Sequence, residues 1–177
     1  MANLEISIGN SLYYEYQAPG AKGQTFVFVN ALTGNTGMWE VDAIGPALRA
    51  AGYGTLVYNF RGQADSTFTP DADLGPAGIV DDLKRLVDHV GPPRPVLVGL
   101  SIGGLFAAQA YLKGADADGL VLINTLRKPG LRLEWINSAM VRMAGTGGSQ
   151  LIMEANLPML VNPDQLARIR PTVLQGN

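Results

Sequence analysis

Four short apolar runs set the strongest limit on how this chain can fold. "QTFVFVN" (24–30), "TLVYNF" (55–60), "VLVGL" (96–100) and "GLVLINT" (119–125) are rich in β-branched and aromatic residues. Continuous rather than alternating apolarity marks strands buried on both faces. Between them lie stretches with helical spacing. Residues 36–51 place Trp39, Val41, Ile44, Leu48 and Ala51 on one side. "AGIVDDLKRLVDHVG" (77–91) gathers Ile79, Leu83, Leu86, Val87 and Val90 on one face and charges on the other, and 102–113 is a helix rich in small residues. Buried strands alternating with helices predict an α/β fold, a mostly parallel twisted sheet with helices on both faces and right-handed crossovers. "LEISI" (4–8) and "LYYEYQ" (12–17), separated by "GNS", read as an N-terminal hairpin.

The rhythm stops after residue 125. "LRLEWINSAMVRMAG" and "SQLIMEANLPML" read as two helices separated by "TGG", with no strand between. The expected organisation is therefore a core over 1–125, a helical cap inserted over 126–168, and a returning core strand over 169–177 from "RPTVLQGN". In the cap, Leu131, Leu133, Trp135, Ile136, Met140, Met143, Leu151, Ile152, Met153, Leu157, Met159 and Leu160 are apolar. They either pack on the core or line a cleft that takes an apolar substrate, and methionine adapts to varied ligands.

Composition removes several classes of function. Net charge is −2 with no basic block, so nucleic acid has no electrostatic footprint. Cysteine is absent and there is one histidine, which argues against disulfides, thiolate metal sites and zinc; no metal and no cofactor are expected. "MANLEISIGN" has neither a basic start nor an apolar core of a signal peptide, and no apolar run spans a membrane. A cytoplasmic protein with no membrane partner is the expectation.

Chemistry points to "LVGLSIGGLFAAQA" (97–110). Gly99-Leu100-Ser101-Ile102-Gly103 matches G-x-S-x-G, and a buried strand precedes it while a helix opens at once. A serine on so sharp a turn holds its hydroxyl clear of the sheet edge. Side chains two positions before and after it would collide, hence Gly99 and Gly103. The helix N-terminus adds free N–H groups and a positive dipole end. The other readings of such a glycine cluster are a phosphate loop or close packing. A dinucleotide fingerprint would need G-x-G-x-x-G after the first strand, and none is there.

With these elements in this order, the sequence resembles the α/β-hydrolase fold family, of which it looks like the N-terminal portion. "FVFVNALTGNTGMWE" is similar to the family's third-strand motif, commonly His-Gly-x-x-Gly, with Asn30-Ala31 in place of His-Gly. Some lactonases of the family carry Asn and a small residue there. "YNFRGQADST" resembles the Asp-x-Arg-Gly-x-Gly-x-Ser loop, with Asn59, Gln63 and Ala64 in place of the family's Asp, His and Gly, and that loop is expected to support structure. The resemblance implies Ser101 as nucleophile and the backbone N–H groups of Leu32 and Ile102 as the oxyanion hole, each donor worth on the order of 3 kcal/mol.

The family order is serine, acid, histidine. The one histidine, His89, precedes Ser101 and ends the helix that feeds the elbow strand. That puts it near the strand's start, roughly five residues or ~17 Å from Ser101, where it meets a helix C-terminus. Asp116 and Asp118 lie before the next strand, at the same far end, while Glu134, Glu154 and Asp164 belong to the cap or its return. The expected function is a serine hydrolase cleaving an apolar carboxylic ester or lactone. Its acid and histidine would come from a second segment or chain, so that these 177 residues alone would be inactive and the C-terminal strand and helix part of the fold is missing. The alternatives are a non-catalytic binding module on the same scaffold and an acyltransferase, in which an alcohol replaces water.

Overall fold

The computed structural model describes residues 2–40, 44–125, 128 and 130–174. The chain divides into two compact units, residues 1–127 and 128–177.

The first unit is built on a six-stranded sheet of β1 (Ala2–Ser7), β2 (Asn10–Gln17), β3 (Thr25–Val29), β4 (Gly54–Tyr58), β5 (Pro95–Leu100) and β6 (Gly119–Ile123). Their spatial order is β1-β2-β4-β3-β5-β6. The hairpin β1/β2 is antiparallel, β2 runs antiparallel to β4, and β4, β3, β5 and β6 are mutually parallel. The helices are α1 (Ile44–Ala50), α2 (Pro76–Val90) and α3 (Ile102–Leu112), with a 3₁₀ turn over Thr36–Trp39.

Side chains alternate across a strand, and here both alternating sets are buried. Val27, Val29, Leu56, Tyr58 and Leu97 join Leu83, Leu86, Phe106 and Ala107 of α2 and α3 in one core. Phe28, Val57 and Val98 join Trp39, with Met38 and Leu48 packed against them, in the other. This two-sided burial is why β3, β4 and β5 read as unbroken apolar runs. β6, at the edge of the sheet, departs from the expectation, because it has a strand neighbour on one side only and Val121, Leu122 and Ile123 are exposed among the described residues.

α2 starts with Pro76 at its first turn and stops at Gly91, whose φ of 57° is left-handed and whose N–H caps the Val87 carbonyl. The single helix face expected over 36–51 is divided: Thr36–Trp39 is a 3₁₀ turn capped by the Asn35 side chain, and α1 begins at Ile44. Val41 lies outside the described residues.

The second unit holds α4 (Leu131–Leu160) and α5 (Pro163–Val173). α4 is two helical stretches joined across Gly147 and Gly148, whose φ/ψ of −138°/18° and 62°/−160° are not helical. That break falls in the "TGG" expected to lie between helices. An open apolar groove of about 600 Å³ is lined by Leu157, Leu166, Ile169 and Val173 among others.

The returning strand expected over 169–177 is not a strand: residues 163–173 form α5, and 175–177 lie outside the described residues. The reason is local. Asn162 caps the helix by accepting from the Asp164 N–H, Pro163 occupies the first turn, and Leu166, Ile169 and Val173 repeat at helical spacing. Four residues such as "PTVL" are too few for periodicity to separate strand from helix end.

Candidate active site

The parallel strands β3, β4, β5 and β6 all end on one edge of the sheet, and their carboxyl ends carry Asn30, Asn59, Ser101 and Asn124. β3 has β4 on one side and β5 on the other; the chain leaves β3 towards β4 and leaves β5 towards β6, so the strand order reverses between β3 and β5. A crevice opens outside the strand ends at such a point. Val29 and Gly99 are register partners across it, so Ser101 and the 30–32 segment start from adjacent positions.

Ser101 sits between β5 and α3 with φ 56° and ψ −123°, a left-handed backbone for a residue with a side chain. Its N–H is held by the Ile123 carbonyl at 2.9 Å, and its own carbonyl accepts from Gly104 N–H at 3.1 Å. The residue is exposed while Gly99, Gly103 and Gly104 around it are buried. A Cβ on Gly99 would strike the Gly104 backbone, and one on Gly103 would strike the carbonyls of Val29 and Asn30. The glycines therefore let α3 press onto β3 and β5, which projects the serine.

Leu32 and Ile102 occupy the loop after β3 and the first position of α3. Neither N–H has a hydrogen-bond partner among the described residues. The Leu32 residue is 64% exposed, so its loop is not anchored by burying that side chain.

Polar contacts hold the loop instead, made by Asn30 and by Asn59 and Gln63 of the loop that the resemblance assigned to support. Asn30 is wholly buried. Its Oδ1 accepts from Trp39 Nε1 at 2.7 Å, and its Nδ2 donates to the Tyr58 carbonyl at 2.8 Å. Asn59 Oδ1 accepts from Thr36 N–H at 2.9 Å. Ser66 Oγ donates to the Asn59 carbonyl at 2.7 Å and accepts from Tyr13 N–H at 2.9 Å, joining this network to β2. Gln63 Nε2 donates to the carbonyls of Ala31 and Leu32. The available signal was that Asn30, Asn59 and Gln63 all depart from the family pattern together. Below the loop, Arg61 and Asp82 form a buried pair at 2.6 Å, and burial pushes the Asp82 carboxyl above its ordinary value while Arg61 pulls it back.

No imidazole or carboxylate bonds the Ser101 hydroxyl among the described residues. His89 lies exposed in the last turn of α2, which leads to the start of β5, with Nε2 3.4 Å from Tyr14 Oη. Asp118, just before β6, pairs with Arg94 at 3.0 Å at the same far edge; Asp116 shares that loop. Glu134, Glu154 and Asp164 belong to the second unit. Among the described residues no group of three or more potential ligands could hold a metal ion, and no helix is long and apolar enough to cross a membrane.

The chain is similar in sequence and in fold to known proteins. The Variovorax paradoxus protein named "Putative carbamate hydrolase RutD" is 30% identical over 153 residues, which are 86% of this chain and 56% of that protein. The enol-lactonase of Burkholderia xenovorans superposes with a TM-score of 0.73 at 25% identity, over 93% of this chain and 62% of its own. An alpha/beta hydrolase enzyme from a Medee basin deep-sea metagenome library gives a TM-score of 0.81 at 20% identity, over 96% and 61%. The chain thus spans about three fifths of the length of these relatives. Residues 24–147, from the start of β3 through the elbow and beyond, match the model of the alpha/beta hydrolase fold, and the chain belongs to the α/β-hydrolase fold family.

Proposed function

We propose that Ser101 is the nucleophile of a hydrolase that cleaves a carboxylic ester or lactone through an acyl-enzyme. The observation that carries this reading is the φ of 56° at Ser101, an exposed serine between a buried strand and a helix N-terminus. A binding module gains nothing from that strain, whereas a nucleophile gains a hydroxyl raised above the sheet edge, with the Leu32 and Ile102 N–H groups free of partners among the described residues. Ser101 Oγ attacks the carbonyl carbon, and the N–H groups of Leu32 and Ile102 receive the developing oxyanion. The collapse of the tetrahedral intermediate expels the alcohol, and water then releases the acid. The base that takes the serine proton and the acid that orients it are assigned to residues outside this sequence, because His89 is at the opposite edge. A carbamate, the substrate class named for the Variovorax relative, has a carbonyl open to the same attack.

The test is a fluorophosphonate probe on the full-length protein. Wild type is labelled at Ser101 and Ser101→Ala is not, with ester hydrolysis falling by at least about a thousandfold. Labelling elsewhere, or hydrolysis that survives Ser101→Ala, sinks the assignment.

A further inference from the structure

Both polar atoms of the Gln63 side chain are engaged, and apart from the Phe60 N–H their contacts are with residues 30–32, the segment that carries Leu32. Oε1 accepts from Phe60 N–H at 3.1 Å and lies 3.3 Å from Asn30 Nδ2. The two hydrogens of Nε2 serve two consecutive carbonyls, Ala31 at 3.1 Å and Leu32 at 2.9 Å. Gly34 N–H adds a second bond to the Ala31 carbonyl at 3.1 Å.

This geometry sets the direction of one N–H. The Ala31 carbonyl and the Leu32 N–H belong to the same peptide group, which is planar and trans, so they point in opposite directions. Fixing the carbonyl towards Gln63 aims the N–H away from it. Holding the Leu32 carbonyl as well removes the remaining freedom of the loop to twist about that residue. The exposed Leu32 side chain provides no competing anchor. Gln63 is itself seated against Asn30, which Trp39 holds from the other side.

We propose that Gln63 is a positioning residue that aims the Leu32 N–H at the oxyanion. It does so through the two carbonyls it holds, and it does not touch the substrate. The proposal rests on the reading of Ser101 as an acyl-transfer nucleophile. It assigns the departure at position 63 to the reaction, through a donor pair that an all-acceptor side chain cannot replace.

The experiment uses the full-length protein with a simple aryl acetate. Gln63→Glu keeps the shape and the acceptor to Phe60 N–H but loses both donors. Losing one oxyanion donor outright costs about 10²–10³ in kcat, and misaiming it is expected to cost about 10–100-fold, with KM within about threefold. Fluorophosphonate labelling slows in parallel. The ratio of variant to wild-type kcat rises as pH falls through the carboxylate range near ~4.3, where the protonated side chain again donates. Gln63→Met, which has no donor and no charge, loses kcat similarly without that pH dependence, and it carries the test if Gln63→Glu does not fold. A kcat within threefold of wild type in a folded variant, a loss confined to KM, or a Gln63→Glu ratio flat with pH overturns the proposal. Ser101→Ala is assayed beside them. If it retains labelling, the nucleophile reading has failed; if it is unlabelled while the Gln63 variants keep full kcat, the clamp alone has failed.

Discussion

The two units make opposite use of similar residues. In the first, α3 buries Gly103, Gly104, Phe106, Ala107 and Ala110 within eleven residues, and α2 buries Val80, Leu83, Leu86 and Val87. In the second, neither α4 nor α5 has a buried residue, although α4 contains Leu131, Trp135, Ile136, Val141, Met159 and Leu160. Both second-unit helices also contain interior breakers: Gly147 and Gly148, Pro158, and Pro171. A helix of the first unit is held by tertiary burial, worth about 25 cal/mol per Å² of apolar surface. A helix of the second relies on capping, as at Asn162, on local contacts such as the Gln150 side-chain bond to Glu154, and on partly buried contacts between α4 and α5 such as the Gln150 bond to the Val173 carbonyl. Burial and not hydrophobic content separates the two, and among the described residues the fully buried core lies in the first unit.

The contrast breaks most sharply at Leu83, which is fully buried. Leu83→Ala is expected to cost about 2–5 kcal/mol of unfolding free energy in urea titration, against under ~0.5 kcal/mol for Leu160→Ala. Equal losses at the two sites would show that the second unit is packed as tightly as the first.

A smaller effect tests whether charge supplements burial in the first unit. Arg49 forks onto both oxygens of Glu40, at 2.8 and 2.6 Å, and holds its carboxyl below the ordinary 4.5. A depressed carboxyl adds stability above its unfolded value and gives it up as pH falls through the lower folded value. The pair is partly exposed, so Glu40→Gln should cost only about 0.5–1 kcal/mol at pH 7. The gap to wild type should close as pH drops below 4.5. A gap that is constant with pH, followed by thermal melts, would reject the charge pairing.

The smallest effect is expected at His89, an exposed helix position at the edge of the sheet away from Ser101. His89→Gln should leave stability within ~0.5 kcal/mol and kcat within about threefold, since loss of a general base costs roughly 10²-fold or more. A hundredfold loss in a folded variant would make His89 part of the reaction.

Reading along the chain found the parallel strands because each of β3, β4, β5 and β6 coincides with an apolar run to within a residue at its start, and in β3, β4 and β5 that run reflects burial on both faces. It found the elbow because the steric demand for glycine at positions 99 and 103 falls on near neighbours. It could not find the C-terminal end of α5, where a cap at Asn162 outweighed a four-residue strand pattern. Nor could it find the polar clamp. Asn30, Trp39, Asn59 and Gln63 are spread over more than thirty positions, and nothing local says that Gln63 will meet the carbonyls of Ala31 and Leu32. Periodicity and close sterics act between neighbours and are written into the order of residues. Hydrogen bonds across the sheet edge depend on β4 lying beside β3, and that adjacency exists only once the strands have paired.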